Sequence, residues 1–433
     1  MDDRSKNQAR REHSLNADTR SVMRRTSAAL FLVGVATFAP LNAPQPILCL
    51  IGQDLGINPA RAALVTTAST AGLAVGVLPW IYTSDRVDRY WALISSATLS
   101  AATGMVVRAL PTFEAILVGR VAEGMMLAGV PVTAITYASE RLPGKCTAKP
   151  AGFFVGGATV GGLAGRLISS TTADLSGWRA GLFASSAFST AVVILFLFVA
   201  PRRAYGTHPP RASDRGRWKP LATPRQAAMY AQGFLLTGAF FALYNYIGFR
   251  LGRDPFNLSQ QQIGLTYGAY LAGTCAALAA GSIVGVVGRR PVLLVGTGAI
   301  FLGGAATLAS SLWIFVCGLA LATAGFFGAH SVVAGWVGSE VSAGTRASSL
   351  YTLAYYGGAS LFGWLGGEAY QSYSWPGLVG GIMLLTIIAA ILSLILLPGG
   401  GQQADIVRKP ERTLDAGTSA PREERGENKS MTN

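Results

Sequence analysis

The chain has 433 residues, of which 51% are hydrophobic and 13% charged, against about 25% charged in a soluble domain. That composition excludes an ordinary soluble globular protein and points to one embedded in a membrane. A formal net charge of +14 raises the question of a nucleic-acid partner, which the placement of the charges along the chain answers.

The first 25 residues carry seven basic side chains and no apolar core, so they read as a cytoplasmic tail and not as a cleavable signal peptide. From Thr26 onward, apolar stretches of about 20 residues recur, each long enough to cross a hydrocarbon core about 30 Å thick. Twelve are predicted: 26–50, 61–82, 91–110, 113–138, 150–170, 178–200, 226–250, 259–286, 290–310, 312–338, 344–369 and 375–398. The 53 glycines suit such a bundle, because small residues let membrane helices approach closely. The expected fold is therefore an all-α integral membrane bundle with both termini cytoplasmic.

Span 1 carries Gln45, a candidate for a central cavity. The loop after span 2 reads "DRVDRYW" at 85–91, which places Asp85, Arg86 and Arg89 together. Span 4 lies within "GRVAEGMMLAGVPVTAITYASERL", residues 119–142. A spacing of three sets Arg120 and Glu123 on one helical face, where they can pair. A charge at mid-membrane costs at least about 2.5–3.5 kcal/mol on insertion scales, so such residues face a cavity or a partner. The pair is thus either functional or a structural ion pair near the external end of its span.

Span 5 holds "GFFVGGATVGGLAGRL" at 152–167, with Gly152, Gly156, Gly157, Gly161, Gly162 and Gly165 largely at four-residue intervals, a pattern that close helix packing explains. Arg166, outward in that span, is free to snorkel. Residues 201–225, "PRRAYGTHPPRASDRGRWKPLATPR", read as a central cytoplasmic linker separating a six-helix half at 26–200 from a second at 226–398. Span 7 offers Tyr244, Asn245 and Tyr246, with Asn245 late enough that capping an external loop is its alternative role. The loop after span 8, "GVVGRRP" at 285–291, sets Arg289 and Arg290 opposite the first basic pair at an offset of 200 residues. Positive-inside sorting alone would also put arginines there. His330 in span 10 has the side chain suited to proton exchange, or is a hydrogen-bonded structural histidine. Tyr355 and Tyr356 in span 11 are cavity candidates or interfacial belt residues. Residues 399–433 form a polar, nonperiodic tail expected to be disordered and cytoplasmic.

With a cytoplasmic N-terminus, 28 of the 35 Lys and Arg residues fall in cytoplasmic segments. That is the positive-inside bias and not a nucleic-acid footprint. Cys49, Cys146, Cys275 and Cys317 show neither metal-ligand nor disulfide spacing and read as packing residues. There is no HExxH and no GxxxxGK phosphate loop. No metal, cofactor or enzymatic activity is expected.

Three patches resemble the major facilitator superfamily, and the resemblance covers about residues 26–398. Asp85, Arg86 and Arg89 match its loop pattern of Gly, four residues, Asp-Arg, any residue, Gly-Arg, although Trp80 and Asp88 stand where glycines belong. Arg120, Glu123 and Gly124 look like its fourth-span pattern of Arg, two residues, Gln or Glu, Gly. The glycine run is similar to its fifth-span antiporter pattern, with Gly157 in place of the proline. A narrower set, among them "QPIL" at 45–48, "YNYIGFRL" at 244–251 and "AGFFGAHSVVAGWVG" at 324–338, resembles the YnfM-type inner-membrane transporters, also described as acriflavine-sensitivity proteins or sugar-efflux permeases. The resemblance implies two six-helix halves, a cytoplasmic gate at Asp85, Arg86, Arg89, Arg289 and Arg290, and proton coupling at Arg120 and Glu123. It further implies a monomer in the inner membrane, whose partners are a small-molecule substrate, protons and the lipid bilayer. The expected function is proton-coupled efflux by alternating access. The alternatives are a sugar exporter, an importer or uniporter of the same fold, or a transport-dead sensor.

Overall fold

The computed structural model describes residues 2–84, 86–142, 148–202, 223–339 and 344–398. The central part of the predicted linker, residue Asp85 and the tail 399–433 lie outside the described residues. Every element among the described residues is a helix. In chain order the helices are α1 (Asp2–Asn42), α2 (Leu48–Asp54), α3 (Pro59–Ser84), α4 (Arg89–Val107), α5 (Phe113–Leu127), α6 (Gly129–Arg141), α7 (Ala148–Val199), α8 (Pro224–Leu251), α9 (Gln260–Thr266), α10 (Tyr270–Val287), α11 (Arg289–Ala306), α12 (Leu312–Ser339) and α13 (Gly344–Leu396). Single 3-10 turns lie at Gln45–Ile47 and Tyr267–Ala269.

Nine stretches among the described residues are long and apolar enough to cross a membrane. Two of them lie on helices that cannot be single spans. A straight helix of the 52 residues of α7 would be about 78 Å long, more than twice the hydrocarbon thickness. α7 breaks at Gly177, where φ 83° and ψ 166° leave the helical region for one that glycine enters without steric cost. α13 breaks at Tyr373 and Ser374, and the Trp375 indole fastens this turn by donating to the Thr307 carbonyl at 3.0 Å.

Several sequence-based boundaries shift. α1 begins at Asp2, so helix runs through the predicted tail. The predicted loop at 171–177 is helical up to Gly177. The first predicted span is not one helix, because α1 ends at Asn42 and a 3-10 turn follows. The cause is local: Pro44 and Pro46 have no N–H to offer the carbonyls four residues back. Pro40 likewise leaves the Ala36 carbonyl free, and the Ser189 hydroxyl takes it at 2.6 Å.

The outer surface is apolar, with Leu78, Val118, Phe198, Leu278, Val286 and Trp313 all exposed, as a lipid-facing belt requires. The interior holds the polar side chains. α3 and α13 run antiparallel: the Cβ positions of Gly367 and Gly363 fall against Ala60 and Thr67, and the Thr70 and Ser360 hydroxyls share a 2.7 Å hydrogen bond. The contacts therefore run from the α3 end farthest from Arg86 and Arg89 to near its middle. Met1–Leu397 form one compact unit.

Candidate functional site

Arg120 and Glu123 project from α5 into the interior, 3% and 0% exposed. The Arg120 Nη1 donates to Glu123 Oε2 at 2.7 Å. The same guanidinium donates to the carbonyls of Pro40 and Leu41 at 3.3 Å each and to that of Val65 at 2.9 Å. Pro40 and Leu41 are among the last carbonyls of α1, which the prolines and the 3-10 turn leave without backbone donors. Arg120 therefore caps the negative end of one helix while fastening α3.

Glu123 is the one buried carboxylate among the described residues. Its Oε1 has no hydrogen-bond partner and packs against α4 where Gly104 leaves room; a Cβ there would stand 2.8 Å from that oxygen. Arg108, also buried, donates from Nη1 to the Met105 sulfur at 3.3 Å and from Nη2 to the Ser186 hydroxyl. Its Nε has no partner. Glu123 thus has one oxygen held by a cation and the other without a hydrogen bond, beside a glycine that leaves it room.

A second cluster contains the cavity candidates Gln45, Tyr244 and Asn245, but the sequence did not show that they gather around Arg166. Arg166 on α7 is wholly buried and does not snorkel as its sequence position allows. Its Nε donates to Gln45 Oε1 at 2.8 Å and its Nη1 to the Gly162 carbonyl at 2.9 Å. Its Nη2 donates to Asn42 Oδ1 at 3.1 Å, to Tyr270 Oη at 2.8 Å and to Gln45 Oε1. Gln45 Nε2 in turn donates to Asn245 Oδ1 at 2.9 Å, so Asn245 faces the interior and does not cap an external loop. The rings of Tyr270, Tyr267 and Tyr244 stand 4.2, 5.2 and 5.6 Å from the guanidinium carbon, within cation–π range.

The other cavity candidates have partners of their own, and Tyr244 links the cage to α12. Tyr244 shares a 2.6 Å hydrogen bond with Thr323. The Tyr246 hydroxyl donates to the Gly363 carbonyl at 2.8 Å, a packing contact. His330 Nδ1 lies 2.8 Å from the Tyr351 hydroxyl, its ring centroid 4.8 Å from that of Tyr355. Tyr356 belongs to an apolar cluster with Leu41, Leu73 and Leu127.

The glycine run of span 5 separates by face. Cβ atoms on Gly157, Gly161 and Gly165 would collide with the α1 carbonyls of Phe31, Val35 and Ala39. Gly162 faces Arg166 and Asn42, whereas Gly152 and Gly156 have open space beside them. The mutual approach of α3 and α5 at Gly72 and Gly124 is of the same kind.

The described residues of the basic loops each have partners of their own. Arg86 lies over the Tyr82 ring at 3.3 Å, Arg289 donates to the Ser339 hydroxyl at 2.9 Å, and Arg290 to the Leu394 carbonyl at 2.7 Å. Arg89 instead joins a charge cluster that the loop motif did not include. Its Nε stands 3.4 Å from Glu140 Oε1, and fully buried Arg141 pairs with Asp88 at 3.1 Å and with Glu140 at 3.4 Å. Asp88 also caps α4 through Tyr90 N at 2.8 Å. Asp88→Ala is expected to lower stability by about 0.5–2 kcal/mol, as loss of a helix N-cap does, read from thermal unfolding in detergent; an unchanged melt would mean that neither the cap nor the Asp88–Arg141 pair contributes to stability. Of the cysteines described, Cys49 is buried, while Cys275 and Cys317 are exposed, so the packing role expected for all four fits Cys49 alone among them. Cys146 lies outside the residues whose side chains are described.

The sequence model of the Major Facilitator Superfamily matches residues 30–254, more than half of the chain. The chain is 36% identical over 375 residues to the inner membrane transport protein YnfM of Escherichia coli (strain K12), which covers 85% of this chain and 89% of that protein. It belongs to the major facilitator superfamily. An uncharacterized superfamily-type transporter of Bacillus subtilis (strain 168), YybF, is 29% identical over 404 residues, covering 92% of this chain and 97% of the relative. Among solved structures, a bacterial homologue of the human lysosomal transporter Spinster, inward-facing and occupied, aligns with a TM-score of 0.70 at 17% identity, over 86% of this chain and 96% of that one. The nucleoside transporter NupG aligns with a TM-score of 0.63 at 15% identity, over 85% and 97%. These likenesses show the superfamily fold of a multi-pass membrane transporter.

Proposed function

We propose that the chain is a proton-coupled exporter of small organic molecules in the cell inner membrane. The observation that carries this reading is Glu123, a buried carboxylate with one oxygen on Arg120 and the other unpartnered. A deprotonated Glu123 neutralises Arg120. A protonated one leaves Arg120 charged and held by the three carbonyls on α1 and α3 that it already reaches. Proton occupancy thereby changes the charge balance at the guanidinium that joins α5 to α1 and α3, where a conformational cycle can couple to it. One proton crossing 100 mV supplies about 2.3 kcal/mol, enough for a roughly 50-fold gradient of a neutral substrate.

In this reading the chain crosses the membrane twelve times, in halves at 26–200 and 226–398 joined by a cytoplasmic linker at 201–225, with both termini cytoplasmic. Four observations support it: the breaks in α7 and α13, the bias of basic residues, the glycine contacts of α7 with α1 and of α13 with α8 at Gly157 and Gly358, and the Gln45–Asn245 hydrogen bond across the 200-residue offset of the basic loops. Alternating access then consists of one half rocking on the other, with Arg86, Arg89, Arg289 and Arg290 on the gate side and Asp85 as its latch.

The test uses purified protein in liposomes holding a pH-sensitive dye, with an imposed proton gradient and cationic dyes, sugars and organic acids added singly. One compound is expected to release protons, and Glu123→Gln to abolish that release. Substrate flux without proton movement would instead make the Arg120–Glu123 pair structural and the chain a uniporter.

A further inference from the structure

Arg166 is a fully buried cation whose partners are all neutral: two side-chain amides, a backbone carbonyl and a phenol. Among the described residues no carboxylate pairs with it, and the buried Glu123 is committed to Arg120. A buried charge without a counterion is costly and marks a function by default. The way it is held shows what is missing. Gln45 Oε1 accepts from both Nε and Nη2, so a neutral amide fills part of the two-pronged place that a carboxylate takes on arginine.

The surroundings describe the rest of the missing group. Beyond Gln45 the chain of hydrogen bonds ends at Asn245, fully buried, whose Nδ2 has no partner. A second donor is therefore unused in the same network. Beside the cage the walls turn apolar and aromatic: the Tyr270 ring lies 5.3 Å from Phe327 and 5.7 Å from Phe240, and Phe240 stacks on Phe326 at 4.1 Å. Cation, free amide and aromatic wall together fit an acid head on an apolar body.

We propose that Arg166, with Gln45, Asn245 and Tyr270, forms the binding site for the carboxylate of a small organic anion with an apolar body. The carboxylate displaces the Gln45 carbonyl from the guanidinium, and the freed amides of Gln45 and Asn245 donate to it. Arg166 comes from α7, whereas Asn245 and Tyr270 come from α8 and α10, so the bound anion bridges α7 to α8 and α10. Substrate class and conformational change thus meet at one group. This inference rests on the reading of the chain as an exporter, and it names the cargo.

The experiment measures binding to the full chain in detergent, with no gradient, by calorimetry and thermal shift. Benzoate and octanoate are the probes, with benzamide, octanamide, benzyltrimethylammonium and chloride as controls. The carboxylates are expected to bind and raise the melting temperature, and the amides and the cation to do neither. Arg166→Gln should weaken carboxylate binding at least tenfold. Because that variant removes a buried network and can fail to fold, Gln45→Glu is the second. It supplies an internal carboxylate of the same shape, and should raise the melting temperature while lowering carboxylate affinity at least tenfold.

Equal binding of acids and amides, an effect reproduced by chloride, undiminished affinity in Gln45→Glu, or no carboxylate binding at all would each overturn the proposal and leave Arg166 as a latch between helices. The two readings fail separately. Carboxylate binding lost in Arg166→Gln, alongside proton release unaffected by Glu123→Gln, would sink the coupling reading alone. Proton-driven flux of a neutral or cationic compound, without Arg166-dependent anion binding, would sink only the present one.

Discussion

Arg120→Ala is expected to abolish substrate flux and to destabilise the protein by about 3–5 kcal/mol, the range for removing one partner of a buried ion pair. Two losses combine. Glu123 becomes a wholly buried carboxylate that has lost its hydrogen-bonded cation, and the carbonyls of Pro40, Leu41 and Val65 lose their shared donor. A carbonyl left unsatisfied in the membrane interior costs more than one that water can reach. Arg120→Lys separates the two roles: it keeps the charge, so Glu123 stays neutralised, but a compact ammonium cannot span three carbonyls and a carboxylate. Its stability should fall between those of the wild type and the alanine variant, with flux reduced. Thermal unfolding in detergent and flux in liposomes are the measurements, and an Arg120→Ala melt within a degree or so of wild type would show that the pair does not hold α1.

The second large effect concerns neighbouring glycines of opposite fate. Gly157→Leu is expected to prevent stable accumulation in the membrane, because even a Cβ at that position falls on the Phe31 carbonyl of α1, and backbone cannot step aside as a side chain can. Overpacking of this kind costs about 1–3 kcal/mol and often more, and here it would force α1 and α7 apart along their whole contact. Gly161→Leu and Gly165→Leu should behave alike. Gly156→Ala, one residue away, meets nothing within 4 Å and should be neutral or stabilising by roughly 0.5–1 kcal/mol, since alanine restrains a helix better than glycine. Membrane-fraction yield and melting temperature of the series decide it. Equal loss at Gly156 and Gly157 would mean that the run serves flexibility and not helix approach.

The glycine run also shows where reading by spacing stops. A four-residue interval was enough to expect close packing, and three of the six positions pack against α1. Nothing in the one-dimensional pattern distinguishes those three from Gly152 and Gly156, because the distinction depends on which side of α7 meets α1. The Arg120–Glu123 contact was legible for the converse reason: its spacing lies within one helix, where geometry is set by the backbone. The carbonyls that Arg120 caps were not, since they lie 55 to 80 residues away.

The charge cluster at Asp88, Glu140 and Arg141 was hidden in the same way. Asp88 stood in the loop pattern only as a replacement for glycine, and its partner is 53 residues distant. A signal was present in the "ASERL" at the end of span 4, where a glutamate and an arginine close an apolar helix.

What the sequence by itself determined is the kind of molecule: a helical, multi-pass membrane protein of a transporter superfamily. Hydropathy over some 20 residues and local motifs carry that, because the bilayer acts on each span separately and demands that each satisfy its own backbone. What only the tertiary structure decided is the environment of the buried charges. Arg166 has the same outward sequence position whether it snorkels to water or lies caged, and the side chains that hydrogen-bond to it lie 104 to 124 positions away. Whether a cation at that depth is solvated, paired or waiting for an anion is set by which helices close around it, and no local pattern encodes that.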